Sequence, residues 1–360
     1  PVMGASAFLM AEFLAVPYQD IVMAALLPAL LYYAALFIQA DLEAAKLNIK
    51  SVPKEDIPAG ALVATGLHFA LAFGLLIYLL FWLRFQPERA ALWAAGALII
   101  SSWLFGYRGE KPKAALLFSS LSKTGHSVVE ILLISAASGI VIGILNITGL
   151  SFNLTYALVQ VGGHNVFLLL GLSAIVCIIL GMGLPTLGVY VLLAALVAPA
   201  LIEVGINPIA AHLYVLYFGM MSMITPPIAM AAFAAASIAK APAMATGWAA
   251  MRFGWSAYII PVLFVFSPTL ILIGAPGDIA LAIVTAMIGI WLISAAIAGF
   301  FTSALSAKNR LAFGLSGIMC LIPAQAFTNG LLVDLLGLML GAALMFWERF
   351  KTRKNLNLGL

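Results

Sequence analysis

Long apolar blocks separated by short polar or charged stretches set the pattern of this chain. Tyr18 to Ala40 is one such block, with Pro28 as an expected kink. Ala59 to Leu83, Ala90 to Phe105 and Val128 to Leu145 are three more. Between them, Asp41 to Ile57 is polar and mixed in charge. Leu42, Ala45 and Ile49 recur there at helical spacing, which predicts an amphipathic helix lying on an interface. Ala114 to His126, with Ser119, Ser120, Ser122 and Lys123 among its apolar residues, predicts a second. Thr148 to Gly163 reads as a loop or a shallow segment. Phe253 to Phe266 and Ile279 to Phe301 are further helices. Leu311 to Trp347 holds two short apolar runs around Pro323 and Asn329-Gly330, and Glu348 to Asn355 reads as a basic, solvated tail.

Two apolar blocks are interrupted. Asn165 to Leu180 and Leu187 to Ile202 flank Gly181-Met182-Gly183-Leu184-Pro185-Thr186, with no charge between them. Each arm is short for a crossing, so the pair predicts one re-entrant helical hairpin with Gly183 and Pro185 at its tip. Pro208 to Ala239 predicts a long helix broken at Thr225-Pro226-Pro227, within the run Gly219-Met220-Met221-Ser222-Met223-Ile224-Thr225-Pro226-Pro227. In lipid, a freed backbone group must find a partner in protein or in a polar cavity. Paired interruptions of this kind point to a transporter's central binding site.

Composition sharpens the class. Hydrophobic residues make up 64% of the 360 residues and charged residues 8%, against about 25% charged in a soluble domain. The fold class expected is an all-α polytopic membrane protein with roughly eight to ten membrane segments, including the hairpin and discontinuous helices. The net charge of +4 comes from Lys and Arg that cluster in loops, and no basic run is dense enough for nucleic acid. Cys177 and Cys320 stand alone in apolar runs, as small buried hydrophobes do. Trp82, Trp93, Trp103, Trp255 and Trp347 fall near block ends, as interface anchors do.

Lys and Arg also orient the chain. Lys46, Lys50 and Lys54 fall on one side with Arg108, Lys111, Lys113 and Lys123, whereas Asn146 to His164 carries neither type. The first side is therefore cytoplasmic, the hairpin enters from outside, the broken helix runs inward to Lys240 and Arg252, and the basic tail ends inside. The chain opens on Pro1 inside an apolar pattern, so Pro1 to Leu14 reads as the end of an earlier broken helix, in a C-terminal fragment of a longer protein. Pro1-Val2-Met3-Gly4-Ala5-Ser6-Ala7-Phe8 and Pro227-Ile228-Ala229-Met230-Ala231-Ala232-Phe233 are alike but travel in opposite directions, as an inverted repeat requires.

The two interruptions, together with Ala198-Pro199-Ala200-Leu201, Tyr217-Phe218, Pro1-Val2-Met3-Gly4, Phe8-Leu9-Met10-Ala11-Glu12-Phe13 and Ala40-Asp41-Leu42-Glu43-Ala44, resemble the large membrane subunit of TRAP transporters. The likeness is to the fused permeases that work with TAXI-type binding proteins, and it spans most of residues 1 to 267. It implies the second half of an inverted-repeat, elevator-type secondary transporter in a bacterial or archaeal inner membrane. The implied coupling ion is sodium, with no other cofactor. The implied cargo is an organic anion, commonly a carboxylate, handed over by a periplasmic binding protein. Small-subunit-like helices are implied in the missing N-terminal part. The corresponding divisions are residues 1–40 as the end of the first broken helix and the following span, 41–145 as arm helices and scaffold, 146–267 as hairpin and broken helix, and 268–360 as extra helices with the tail.

Hard cations take oxygen ligands, and unwound helix ends supply carbonyls with negative dipole character. Gly181 and Gly183 allow the first bend, Pro185 prevents its repair, and Thr186 adds a hydroxyl; Ser222 and Thr225 do the same beside Pro226 and Pro227. Gly181, Thr186, Ser222 and Thr225 are the sodium candidates, and helix N-termini at the breaks suit a carboxylate. No Asp, Glu, Lys or Arg lies between Glu130 and Glu203 or between Val204 and Ala239, which favours sodium on neutral oxygens over a proton relay. A proton-coupled or binding-protein-independent carrier is the alternative, and a channel would also use broken helices. An intramembrane enzyme lacks support, because no His-Glu-x-x-His pattern or acid cluster occurs. Glu12 and Glu130 read as interfacial, His68 as a packing residue, and His164 and His212 as lying near the outer face.

Overall fold

In the computed structural model the described residues are 6–50, 52–53, 66–106, 111, 114–162, 165–322 and 329–357. His164 and Pro323, the break expected at or before Pro1, and the side chains of His68 and Glu130 lie outside what is described. Helices account for the described fold, which contains no strand beyond an isolated bridge between Phe300 and Ala304. The chain divides into two compact units, Pro1–Ile49 with Ala137–Leu360, and Lys50–Ala136.

In the smaller unit α3 (Leu67–Ile77) runs into a π turn, Tyr78–Trp82, and packs on α4 (Pro87–Phe105). Pro87 occupies the first turn of α4, where its missing N–H costs nothing. The next helix, α5, is continuous from Ala114 to Thr148 and replaces the expected interfacial helix and separate span. Two of its polar residues bond back to their own turn: Thr124 Oγ1 donates to Ser120 O at 2.8 Å and His126 Nδ1 meets Ser122 O at 3.0 Å. With those groups satisfied locally, the change of pattern demands no break.

The larger unit begins with α1 (Ser6–Leu14) and α2 (Tyr18–Lys46), stapled by Phe8 stacked on Tyr18 with ring centroids 4.4 Å apart. Helix α2 keeps Pro28 inside it and continues through Asp41–Lys46, so the first six residues of the expected interfacial helix form its C-terminal end. Ala, Leu, Glu and Lys are strong helix formers and carry the helix on. It ends at Leu47, with Asn48 in the left-handed region at φ 53. A bend at Gly149, φ 67, leads into α6 (Leu150–Gly162), a helix where a loop was expected.

The hairpin follows as α7 (Val166–Gly181) and α8 (Thr186–Leu196). Its returning arm is shorter than expected, because Val197 separates α8 from α9 (Ala198–Glu203), whose first turn holds Pro199. Next come α10 (Pro208–Met221) and α11 (Met230–Ala239), the two halves of the broken helix. A helix not foreseen in the sequence, α12 (Ala243–Phe253), precedes α13 (Ser256–Phe266). Trp255 between them is buried, and its indole N–H donates to Ser294 Oγ at 3.3 Å, so it is no interface anchor. Helix α14 (Pro276–Ala298) closes on Gly299 at φ 68. Helices α15 (Ala307–Leu321) and α16 (Gly330–Asn357) complete the chain. The expected basic tail is helical, with Arg349 and Lys351 exposed, but Glu348 at its start is buried against Asn309.

The core of this unit joins α2, α7, α8, α10, α13 and α14, with Tyr190, Tyr214 and Phe264 fully buried in it. Cys177 and Cys320 are buried and unbridged, as their apolar surroundings predict. At one end Arg252 Nη2 lies 3.1 Å from Glu43 Oε1, while Lys46 Nζ donates to Ala298 O at 2.8 Å, capping α14. Outward, large apolar residues such as Phe37, Trp82, Ile147 and Ile238 are strongly exposed. Among the described residues four helices, Tyr18–Lys46, Ala243–Phe266 (α12 with α13), Pro276–Ala298 and Gly330–Lys351, are long and apolar enough to cross a membrane. An all-α chain with apolar surfaces of this extent is a multi-pass membrane protein.

Candidate ion and substrate site

The hairpin is built by its punctuation. Asn165 caps α7, its Oδ1 accepting from Phe167 N at 3.0 Å and Leu168 N at 3.2 Å. Helix α7 stops at Gly181, Gly183 takes φ 81, and Pro185 at φ −65, ψ 152 feeds α8. The tip is thus Met182 to Pro185, and Val189 N returns to Pro185 O at 2.9 Å. Asn207 caps α10 in the same way as Asn165, through Ile209 N at 2.9 Å. Helix α10 stops at Met221, and residues 222–229 turn before α11. In that turn Pro226-Pro227 is cis, Thr225 N bonds Met221 O at 2.9 Å, and Ala229 is left-handed at φ 32.

The two breaks meet through Ser222. Its hydroxyl lies 2.9 Å from Gly181 O, at the end of α7, and 2.7 Å from Gly219 O, in the last turn of α10. Ser222 is buried, so one hydroxyl proton faces two carbonyl oxygens at two converging helix C-termini. The approach is as close as glycine permits. A Cβ on Gly181 would stand 2.5 Å from Gly219 O, and one on Gly219 would stand 2.6 Å from both Leu193 Cδ1 and Val189 Cγ1.

The other expected residues are placed differently. Thr225 Oγ1 donates to Met221 O at 2.5 Å and pairs with Tyr258 OH at 2.7 Å, which ties the second break to α13 rather than to Gly181. Thr186 is half-buried at the start of α8, and no described hydrogen bond joins it to Ser222 or Thr225. Gly183 and Pro185 are exposed at the tip. Pro226 packs towards α12, where a Cβ on Gly247 would touch its Cγ at 3.0 Å.

Several contributors were not foreseen. Gly219 O had a signal, because a serine three residues on can bond back to it. Tyr258 had none, being 33 residues from its partner Thr225. His212 is buried, with Nδ1 2.8 Å from Tyr190 OH on α8. Two residues further along α10, Tyr214 OH donates to Leu170 O on α7 at 2.6 Å. Helix α10 is therefore pinned to both hairpin arms by three buried hydrogen bonds. Helix α1 lies against α8 and α10, with the Phe13 and Tyr190 ring centroids 6.0 Å apart.

The family model described as tripartite ATP-independent periplasmic transporter, DctM component, matches residues 1–279. The chain belongs to that family. No curated protein and no solved structure matches it. The DctM family consists of transporter components, not enzymes, and the match takes in every residue of the hairpin, the broken helix and Tyr258. Helices α15 and α16 lie beyond it.

Proposed function

We propose that this chain is the permease of a sodium-coupled secondary transporter that imports an organic anion, a carboxylate, delivered by a TAXI-type periplasmic binding protein. The carrying observation is the junction of Gly181 O, Gly219 O and Ser222 Oγ. Its donors are neutral oxygens at two helix C-termini, with one proton among three oxygens, and that set suits a hard monovalent cation. The stretches around it contain no Asp, Glu, Lys or Arg from 131 to 202 or from 204 to 239. The N-termini of α8 and α11 supply the opposite polarity, suited to the carboxylate.

An elevator movement fits the same geometry. Three buried hydrogen bonds join α10 to the hairpin, so these elements are suited to travel as one body. The working protein sits in the inner membrane with its C-terminus in the cytoplasm, partnered by small-subunit-like helices. These placements follow from the Lys and Arg distribution and from the family.

The test is uptake of small carboxylates by the full-length permease in proteoliposomes with its binding protein. Uptake follows the inward sodium gradient. Ser222→Ala raises the sodium concentration for half-maximal uptake roughly tenfold, the equivalent of about 1.4 kcal/mol. Thr225→Ala, whose hydroxyl is spent on Met221 O and Tyr258, has a smaller effect. Uptake that ignores sodium and follows a proton gradient overturns the coupling ion in favour of the proton-coupled alternative.

A further inference from the structure

Beyond the family-matched residues, α16 carries a buried acid that the proposed sodium site does not use. The buried positions on the described part of this helix are Gly330, Asp334, Gly337, Gly341 and Glu348. They recur at steps of four, three, four and seven and so share one face. Leu331, Leu335, Leu336 and Met339 lie between them and are exposed. A helix with leucines outward and glycines and acids inward is oriented for lipid.

The inward face meets α15 closely. Ser316 Oγ donates to Gly337 O at 2.7 Å, and a Cβ on Gly337 would stand 2.8 Å from Met319 Cβ and 2.9 Å from Cys320 Sγ. At the far end of the stripe, Glu348 accepts from Asn309 Nδ2. Asp334 differs. It is 1% exposed, and neither carboxyl oxygen has a hydrogen-bond partner among the described residues.

The groups around Asp334 offer no counter-charge. On α15 the facing titratable group is the Cys320 thiol, within electrostatic reach of the carboxyl. The cations of α15, Lys308 and Arg310, stand at its opposite end, beside Asn309. On α14, which also packs on α16, the ionisable residue is Asp278, exposed in the first turn. Arg349 and Lys351 follow Asp334 by four turns or more along α16. Residues 323–328, between the two helices in sequence, contain no ionisable side chain. A buried carboxylate with neither cation nor donor among the described residues costs several kcal/mol or more, whereas the neutral acid costs far less.

We propose that Asp334 is a proton-binding site, its carboxyl holding a proton between α15 and α16 at neutral pH. Release of the proton needs water at the carboxyl, which the close packing of the two helices at Gly337 and Cys320 opposes. The site is separate from the junction at Ser222, so each stands or falls alone.

Infrared difference spectroscopy on the full-length protein in lipid vesicles tests it. At neutral pH in choline buffer, wild type minus Asp334→Asn shows the carbonyl stretch of a neutral carboxylic acid, which shifts on exchange into heavy water. Asp334→Glu moves that band without removing it and serves if the Asn variant fails to fold. A difference confined to carboxylate bands overturns the proposal. So does conversion of the acid band to a carboxylate band when sodium replaces choline at constant pH, since the site would then bind the metal ion.

Discussion

The Gly219 carbonyl accepts the Ser222 hydroxyl, while the space where its side chain would stand is filled by Leu193 and Val189 of the returning hairpin arm. A methyl group there must displace two branched side chains inside a packed core. Gly219→Ala is expected to lower stability by about 1–3 kcal/mol and to weaken the stabilisation that sodium confers. Gly188, on the same arm, is the control. A Cβ there meets Pro185 Cδ at 3.9 Å, an ordinary contact, and alanine favours the helix. Gly188→Ala should leave the melting temperature unchanged or slightly raised. Thermal melting in detergent with and without sodium reads both variants. Equal tolerance of the two substitutions would show that the close approach of α10 to α8 is not required.

At the scale of elements, α10 is held by side chains whose hydrogen bonds differ in what they leave behind when cut. Tyr190→Phe strands a buried ring nitrogen of His212, a loss of about 1–3 kcal/mol. Tyr214→Phe removes a second bond to a carbonyl inside α7, a loss of about 0.5–1.5 kcal/mol. The first substitution should therefore lower the denaturation midpoint more than the second, and the opposite order would remove the His212 pair from the account. The helix breaks after Gly181 and Met221 were legible in the sequence because Gly183, Pro185, Pro226 and Pro227 act on the backbone within a few residues. The continuity of α5 was not, because Ser119, Ser120, Ser122 and Lys123 are exposed on the helix and Thr124 and His126 bond within their own turn, so the polar run forces no break. The burial of Trp255, His212 and Glu348 depends on Ser294, Tyr190 and Asn309, partners 39, 22 and 39 residues away. Pattern alone does not reach them. Of the candidate residues, Gly181 and Ser222 are in contact, while Thr225 turns to Tyr258.

For the whole molecule, exposure has an unusual meaning. In a soluble protein an exposed position tolerates a charge at little cost, but here the exposed apolar residues of the long helices face lipid. Leu30 in the middle of α2 is 56% exposed and Ile49, beyond its end, is 64% exposed, so solvent accessibility does not separate them. Depth does. The ion pairs of Glu43 with Lys46 and Arg252 mark the end of α2 as a polar boundary, and Ile49 falls past it. Leu30→Asp should cost about 2.5–3.5 kcal/mol of membrane insertion, seen as loss of membrane-integrated protein. Ile49→Asp should change it by less than about 0.5 kcal/mol. Equal insertion of the two variants would mean that α2 does not cross the bilayer where its length and composition place it, and the depth assigned to the helices packed on it would fall as well.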